Sequence, residues 1–270
     1  MNWPTAIIAA ALAGSIPFSW LLGLLNGVDI RKHGSGNVGA TNLGRVVGRK
    51  WFAMGFTLDL LKGFVPVFLA GQTMGVVGTF AIGPADSWFW LACVVAAVLG
   101  HMFSPIVGFK GGKGVATGLG AVLGIFPALT IPGVGAFVVF AMTLTLWRYV
   151  SVASTVAAMT LPAFAYMAFG YAKTIAETRA FEGVTRDSVT VEMAEQIRLN
   201  ATANIDGFPF VVVTAAIAIL VAYKHRDNFE RLSRGTEPKM GSAKEPHENM
   251  PEPDQPDPPQ PDPPQPDPSE

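Results

Sequence analysis

The sequence predicts an all-α integral membrane protein of seven transmembrane helices, with the N-terminus outside and the C-terminus cytoplasmic. Three observations point there. The 270 residues are 50% hydrophobic and 14% charged, whereas a soluble domain averages about 25% charged residues. Apolar stretches approaching the roughly 20 residues that cross a hydrocarbon core recur along the chain. The basic residues collect in short loops on one side of those stretches. The same composition excludes a fully disordered chain and argues against an ordinary soluble enzyme. A single cysteine, Cys93, excludes an intrachain disulfide and a cysteine zinc cluster.

The first apolar stretch covers residues 3–25. No Lys or Arg precedes Arg31, so it lacks the basic start of a signal peptide and reads as an uncleaved helix. The second, residues 51–72, contains Asp59 and Lys62. Intramembrane charges are costly, and i,i+3 spacing lets this pair neutralise itself. The third covers residues 87–107 and contains His101, which reads as a buried hydrogen-bonding residue supporting the following loop. Residues 115–147 then carry no charge over 33 positions. One helix of that length would measure about 50 Å, against a hydrocarbon core of about 30 Å. Pro127, Pro132, Gly133 and Gly135 offer a break near the middle, so two short spans are expected. Residues 151–171 and 208–223 complete the seven.

Orientation follows from the basic residues. Seven spans put 13 of them, from Arg31 to Lys239, on one side, which is therefore cytoplasmic. A single span over residues 115–147 would instead place the last basic stretch opposite the other two. The long loop at residues 172–207 falls outside, with helix-like patterning. Residues 1–239 form the membrane domain and carry a formal charge of +6. Residues 240–270 are acidic, rich in proline and repeat QPDPP. They read as a disordered cytoplasmic tail of polyproline character.

Three polar segments carry chemistry. HGSGNVGATNLGR, residues 33–45, alternates glycines with Ser35, Asn37, Thr41 and Asn42 and ends in Arg45. Glycines such as Gly36 let backbone N–H groups approach an anion, and Arg can clamp a phosphate with two donors. A plain polar turn would not need this density of donors. GFKGGKGVATG, residues 108–118, sets Lys110 and Lys113 among Gly111, Gly112 and Gly114 just before a span. That suits phosphate at a helix N-terminus, although a flexible basic loop is the plain alternative. It is not a Walker A loop, because Gly114 stands where the hydroxyl residue belongs. YKHRDNFERLSRGTEPK, residues 223–239, follows the last span. On a continuing helix His225 and Asn228 would share a face; a basic anchor for the helix is the alternative reading. Four histidines spread over the chain suggest no metal site. All three segments face one side, which fits binding of two phosphate-bearing molecules at the membrane surface.

GSIPFSWLLG, GSGNVGATNLGR, DLLKG, GH followed by FKGGKGVATG, and HRDNFERLSRGTEPK together resemble the PlsY family, the bacterial acyl-phosphate:glycerol-3-phosphate acyltransferases. The resemblance extends to Lys239. Phe229 replaces a usual isoleucine, the segment at Ser104 and Pro105 differs slightly, and the long loop and tail look like additions. The resemblance implies a multi-pass protein of the bacterial inner membrane. It implies transfer of a fatty acyl group from acyl phosphate to the 1-hydroxyl of glycerol 3-phosphate, giving lysophosphatidic acid and phosphate in phospholipid synthesis. No metal, cofactor or nucleic acid is implied. Membrane lipids are, and there is room for a partner enzyme that makes acyl phosphate. By the family motifs, Lys110, Gly111, Gly112, Lys113 and Gly114 would cradle the donor phosphate. Ser35, Gly36, Asn37, Thr41, Asn42 and Arg45 would hold glycerol 3-phosphate, His225 and Asn228 would complete that site, and Glu237 would brace the third segment. The rival reading is a transporter for a phosphorylated solute, which predicts broken helices near the midplane and internal repeats.

Overall fold

The computed structural model describes residues 2–182, 184 and 189–240. The proline-rich tail beyond Met240, and part of the long loop, lie outside the described residues. Eleven helices form among the described residues, with no strand. Five helical segments are long and apolar enough to cross a membrane, or six if one bent pair counts as a span.

The first span is broken. Its halves are α1 (Trp3–Ser15) and α2 (Phe18–Leu25). Pro17 has no amide to continue the ladder, so carbonyls at the break need other donors. Ser104 Oγ donates to the Ser15 carbonyl at 2.5 Å, and Lys62 Nζ to the Ile16 carbonyl at 2.5 Å. Lys62 also pairs with Asp59 at 2.8 Å, and Asp59 accepts from Ser19 Oγ at 2.7 Å. The intramembrane pair thus neutralises itself and closes the gap in the neighbouring helix.

After the short α3 (Ala40–Val46) come α4 (Arg49–Met74) and α5 (Pro84–Met102), followed by a 3-10 turn at Pro105–Val107. Residues 115–147 are broken into α6 (Val115–Gly124) and α7 (Thr130–Trp147), of which only α7 is among the helices long enough to cross a membrane. The break falls at residues 125–129, so Pro127 lies in it, whereas Pro132, Gly133 and Gly135 sit inside α7. At ten residues α6 rises only about 15 Å. The α4–α5 connection comes to meet it: Gly78 N donates to the Phe126 carbonyl at 2.9 Å, and Val76 and Ile82 are buried. Backbones of α4 and α6 touch closely, because a Cβ at Gly63 would land on the Thr117 carbonyl and one at Gly120 on the Leu60 carbonyl.

The expected loop at residues 172–207 begins later than its composition suggests. Helix α8 (Val150–Ala180) runs straight through residues 172–180, and α9 (Val191–Thr202) packs on it, with Arg198 and Glu177 paired at 3.1 Å. The last span, α10 (Phe208–Lys224), does not continue into α11 (Arg226–Ser233). The two are bent by 50°, so His225 sits at a corner and not on a straight helical face.

The main apolar core lies toward the end where α1 begins. Trp90, Phe169 and Phe210 are buried there, and Trp3 Nε1 donates to Asp86 at 2.9 Å. The other end of the bundle carries the polar segments.

Candidate active site

Four connections converge at that polar end. The segment before α3 is folded by Asn42. Its Oδ1 accepts from Ser35 N at 2.9 Å, and its Nδ2 donates to the carbonyls of Ile30 at 2.8 Å and His33 at 3.1 Å. Asn42 is 2% exposed. Its amide is taken up by the loop, which corrects its expected place among substrate-lining side chains. Asn37 also turns the chain, accepting from Gly39 N at 3.0 Å. Gly36 has φ 67°, a left-handed conformation that suits glycine. Ser35 and Gly36 are left exposed and Thr41 half-buried. No hydrogen bond or ion pair among the described residues joins these three or Asn37 to Lys113, Asn228 or Glu237. Arg45, in the last turn of α3, is linked to the site by electrostatic interaction with Glu237, Arg231 and Lys113.

The second segment runs from the end of α5 into α6. Gly114 takes φ 79° as the residue before α6, and no side chain caps that helix. Its first-turn N–H groups therefore point outward without side-chain partners, with the positive end of the helix dipole behind them. Lys113 donates to Asn228 Oδ1. Lys110 is exposed and apart from this network. Gly112 N donates to the His101 carbonyl at 3.2 Å, so that amide is not available to a phosphate. Gly111 and Gly112 both press on His101: a Cβ at either would land on its carbonyl or its ring, respectively.

The third segment is organised by Glu237, 6% exposed. Its Oε1 accepts from Asn228 Nδ2 at 2.7 Å and from Ser151 Oγ at 2.9 Å, and its Oε2 from Arg231 Nε at 2.9 Å. Beyond it, Met240 N donates to the Arg148 carbonyl at 2.6 Å and Arg148 returns a bond to the Met240 carbonyl at 3.0 Å. Residues 236–240 thus form a strap over the α7–α8 turn.

Arg45, Lys113 and Arg231 all interact electrostatically around Glu237. Burial draws the Arg45 guanidinium below its ordinary value, with Glu237 opposing and Arg231 assisting. Burial brings Lys113 down to about 8; Glu237 opposes this, while Arg231 and Arg45 assist. Burial alone would raise the Glu237 carboxyl, but hydrogen bonds from Asn228, Ser151 and Arg231 hold it below its ordinary value. Three cations against the spent Glu237 carboxylate and Asp227, which also acts on Lys113, leave an excess of positive charge. His225 adds none: burial first, and Lys113 second, lower it to about 4. Its Nδ1 lies 2.8 Å from the Val221 carbonyl, which fixes the proton there and leaves Nε2 bare.

Sequence reasoning missed Arg231 and Ser151, whereas His101 is buried and supports the following loop, as its sequence position suggested. Arg231 looked like one more basic residue flanking a span, and Ser151 like the first residue of the next. Only the fold brings them to Glu237. Among the described residues no group of three or more His, Cys, Asp or Glu could hold a metal ion.

Fold and site together describe an integral membrane protein with a cluster of cationic side chains around Glu237 at one end of its helical bundle. Comparison with known proteins then gives the family. The glycerol-3-phosphate acyltransferase family matches residues 5–235, and the chain belongs to it. The glycerol-3-phosphate acyltransferase of Acholeplasma laidlawii is 36% identical over 88% of this chain and 93% of its own length. That of Aquifex aeolicus is 36% identical over 86% and 95%. Crystal structures of PlsY, an integral membrane glycerol 3-phosphate acyltransferase, align at 33% identity. The glycerol 3-phosphate form has a TM-score of 0.65, covering 88% of this chain and 96% of that one; the lysophosphatidic acid form has 0.63.

Proposed function

We propose that this chain transfers a fatty acyl group from acyl phosphate to the 1-hydroxyl of sn-glycerol 3-phosphate, yielding lysophosphatidic acid and phosphate. The observation that carries the reading is the convergence of Arg45, Lys113 and Arg231 beside the uncapped N-terminus of α6. Family membership supplies the acceptor, since the relatives are glycerol-3-phosphate acyltransferases.

Acyl phosphate is a mixed anhydride and is already activated. The acceptor hydroxyl oxygen bonds to the carbonyl carbon, the carbon–oxygen bond to phosphate breaks, and its electron pair leaves on the phosphate. Such a step needs positioning and charge neutralisation but no covalent serine. Lys113 and the first turn of α6 hold the donor phosphate, with Lys110 at its entrance. Arg45 and Arg231 hold the acceptor phosphate, and Ser35, Gly36, Asn37 and Thr41 line the approach. Asn228 keeps the Lys113 ammonium in place. His225, lowered to about 4, is a weak base at neutral pH. A phosphate oxygen takes the hydroxyl proton instead, and the His225 Nε2 accepts a hydrogen bond from the acceptor.

Seven crossings fit the geometry: α6 counts as a short span because the α4–α5 connection dips to meet it. By the charge rule the site then faces the cytoplasm and the N-terminus is outside. A transporter would leave the break between α1 and α2 open to a cavity. Here Lys62 and Ser104 hydrogen-bond the carbonyls of the break, and the cavity beside it, lined by Ile16, Phe18 and Lys62, is otherwise walled by apolar side chains.

The test is phosphate release from palmitoyl phosphate by the purified protein in detergent, with and without glycerol 3-phosphate. Release that depends on glycerol 3-phosphate, with lysophosphatidic acid formed in step, is expected. No dependence in folded protein overturns the reading.

A further inference from the structure

We propose that residue 112 is glycine because of His101, and that the His101 ring is a positioning residue holding the Gly112–Lys113 backbone so that the Lys113 ammonium faces the site. The mechanism above makes no use of this imidazole. It stands in the last turn of α5, 7% exposed. Its Nδ1 lies 3.9 Å from Asp59 Oδ1. Asp59 is itself fixed by Ser19 and Lys62, which in turn hold the broken first span. The ring is therefore backed by a rigid intramembrane cluster. Its other nitrogen, Nε2, lies where a Cβ on Gly112 would project. The His101 carbonyl takes the Gly112 amide at 3.2 Å, so the same residue grips the loop by backbone and by side chain. One position later, Lys113 donates to Asn228.

The plain account of a glycine in such a loop is that a phosphate needs the bare Cα. The two accounts separate because the neighbouring glycines differ. At Gly111 a Cβ would meet the His101 carbonyl oxygen and the Met102 backbone. No side-chain change relieves that. At Gly112 all three nearest atoms belong to the His101 ring. Trimming the ring would make room for a methyl at residue 112 and not at residue 111.

The proposal rests on the reading of Lys113 as the donor-phosphate lysine. Its test is a double-mutant cycle on the full chain: His101→Ala, Gly112→Ala and the pair, with Gly111→Ala alone and with His101→Ala as control. KM and kcat for palmitoyl phosphate are read, together with the melting-temperature rise on adding inorganic phosphate. Gly112→Ala alone should raise KM about tenfold, with a smaller effect on kcat, because it displaces a binding cation. In the His101→Ala background it should add less than about twofold, a coupling that only residues in contact show. Gly111→Ala should be as harmful in either background. Multiplying losses at residue 112 would overturn the proposal and return the glycine to the phosphate. Should His101→Ala fail to fold, His101→Asn serves in the same cycle, since it keeps a polar group toward Asp59 and removes Nε2. A wild-type chain without glycerol-3-phosphate-dependent turnover would sink the acyltransferase reading alone. The coupling between residues 101 and 112 is then decided by the inorganic-phosphate melting shift.

Discussion

Glu237 shows how much one side chain can set. It ties α8, through Ser151, to α11, through Asn228 and Arg231, and Asn228 passes the tie on to Lys113. Hydrogen bonds to a charged group contribute about 1.5–3 kcal/mol each. Glu237→Ala should therefore lower the melting temperature and reduce turnover more than tenfold, a rough figure set by the loss of one such bond. Glu237→Gln, which keeps an acceptor for Asn228 and Ser151 but leaves Arg231 unpaired, should fall between; a thermal melt beside a turnover assay checks the order. Lys113 gives a pH signature. Burial lowers it to about 8, so the ammonium is lost as pH rises through that value. The free enzyme should then bind the donor less well, and kcat/KM for acyl phosphate should fall above about pH 8. Lys113→Arg, whose charge persists, should move that limb upward. At this scale the sequence was legible where residue types are scarce in membrane proteins: glycine beside lysine, and serine or asparagine beside arginine. It could not separate a side chain that meets a ligand from one that folds the loop. Asn42 and Asn228 look equally polar on paper, and only burial and partners show that Asn42 is consumed by the backbone around it.

Among the elements, the broken first span tests whether intramembrane charge is structural. Lys62 neutralises Asp59 and caps the Ile16 carbonyl at once. Removing one partner of a buried ion pair costs about 3–5 kcal/mol. Lys62→Met should accordingly lower the melting temperature sharply, and Asp59→Leu added to it should recover part of the loss by removing the orphaned charge. A second substitution that only deepened the loss would refute pairing as the reason both are present. The i,i+3 spacing made the pair readable. The third partner was not, because the Ile16 carbonyl, exposed by the break between α1 and α2, leaves no mark at residue 62. The same limit explains α6. Its lack of charge announced membrane and its length demanded a break, but the break falls at residues 125–129 and leaves α6 short. What makes a short helix sufficient is the α4–α5 connection, whose Val76 and Ile82 looked like ordinary loop residues and are buried. Hydrophobic pattern fixes where helices lie; the depth at which neighbouring connections meet them is set by packing.

Over the whole molecule, the charge rule and the geometry make one joint prediction. Three basic segments, far apart in sequence, meet at one end because each connection preceding or following them returns there. That requires α6 and α7 to make two crossings. Were they one, Lys110 and Ser233 would face opposite sides of the membrane, since only α8 and α10 would otherwise separate them. Cys93 is the single cysteine and is buried, so Cys93→Ala gives a clean background for reporters. Lys110, Gln196 and Ser233 are all exposed. Cysteines placed singly at these positions should react with a membrane-impermeant thiol reagent from two different sides: Lys110→Cys and Ser233→Cys in inverted vesicles, and Gln196→Cys only in intact cells. Lys110→Cys and Gln196→Cys sharing a side would reduce residues 115–147 to one crossing and separate Arg45 and Lys113 from Arg231 by a bilayer. The anion site depends on those three side chains meeting, so its existence and the number of crossings stand or fall on the same labelling pattern.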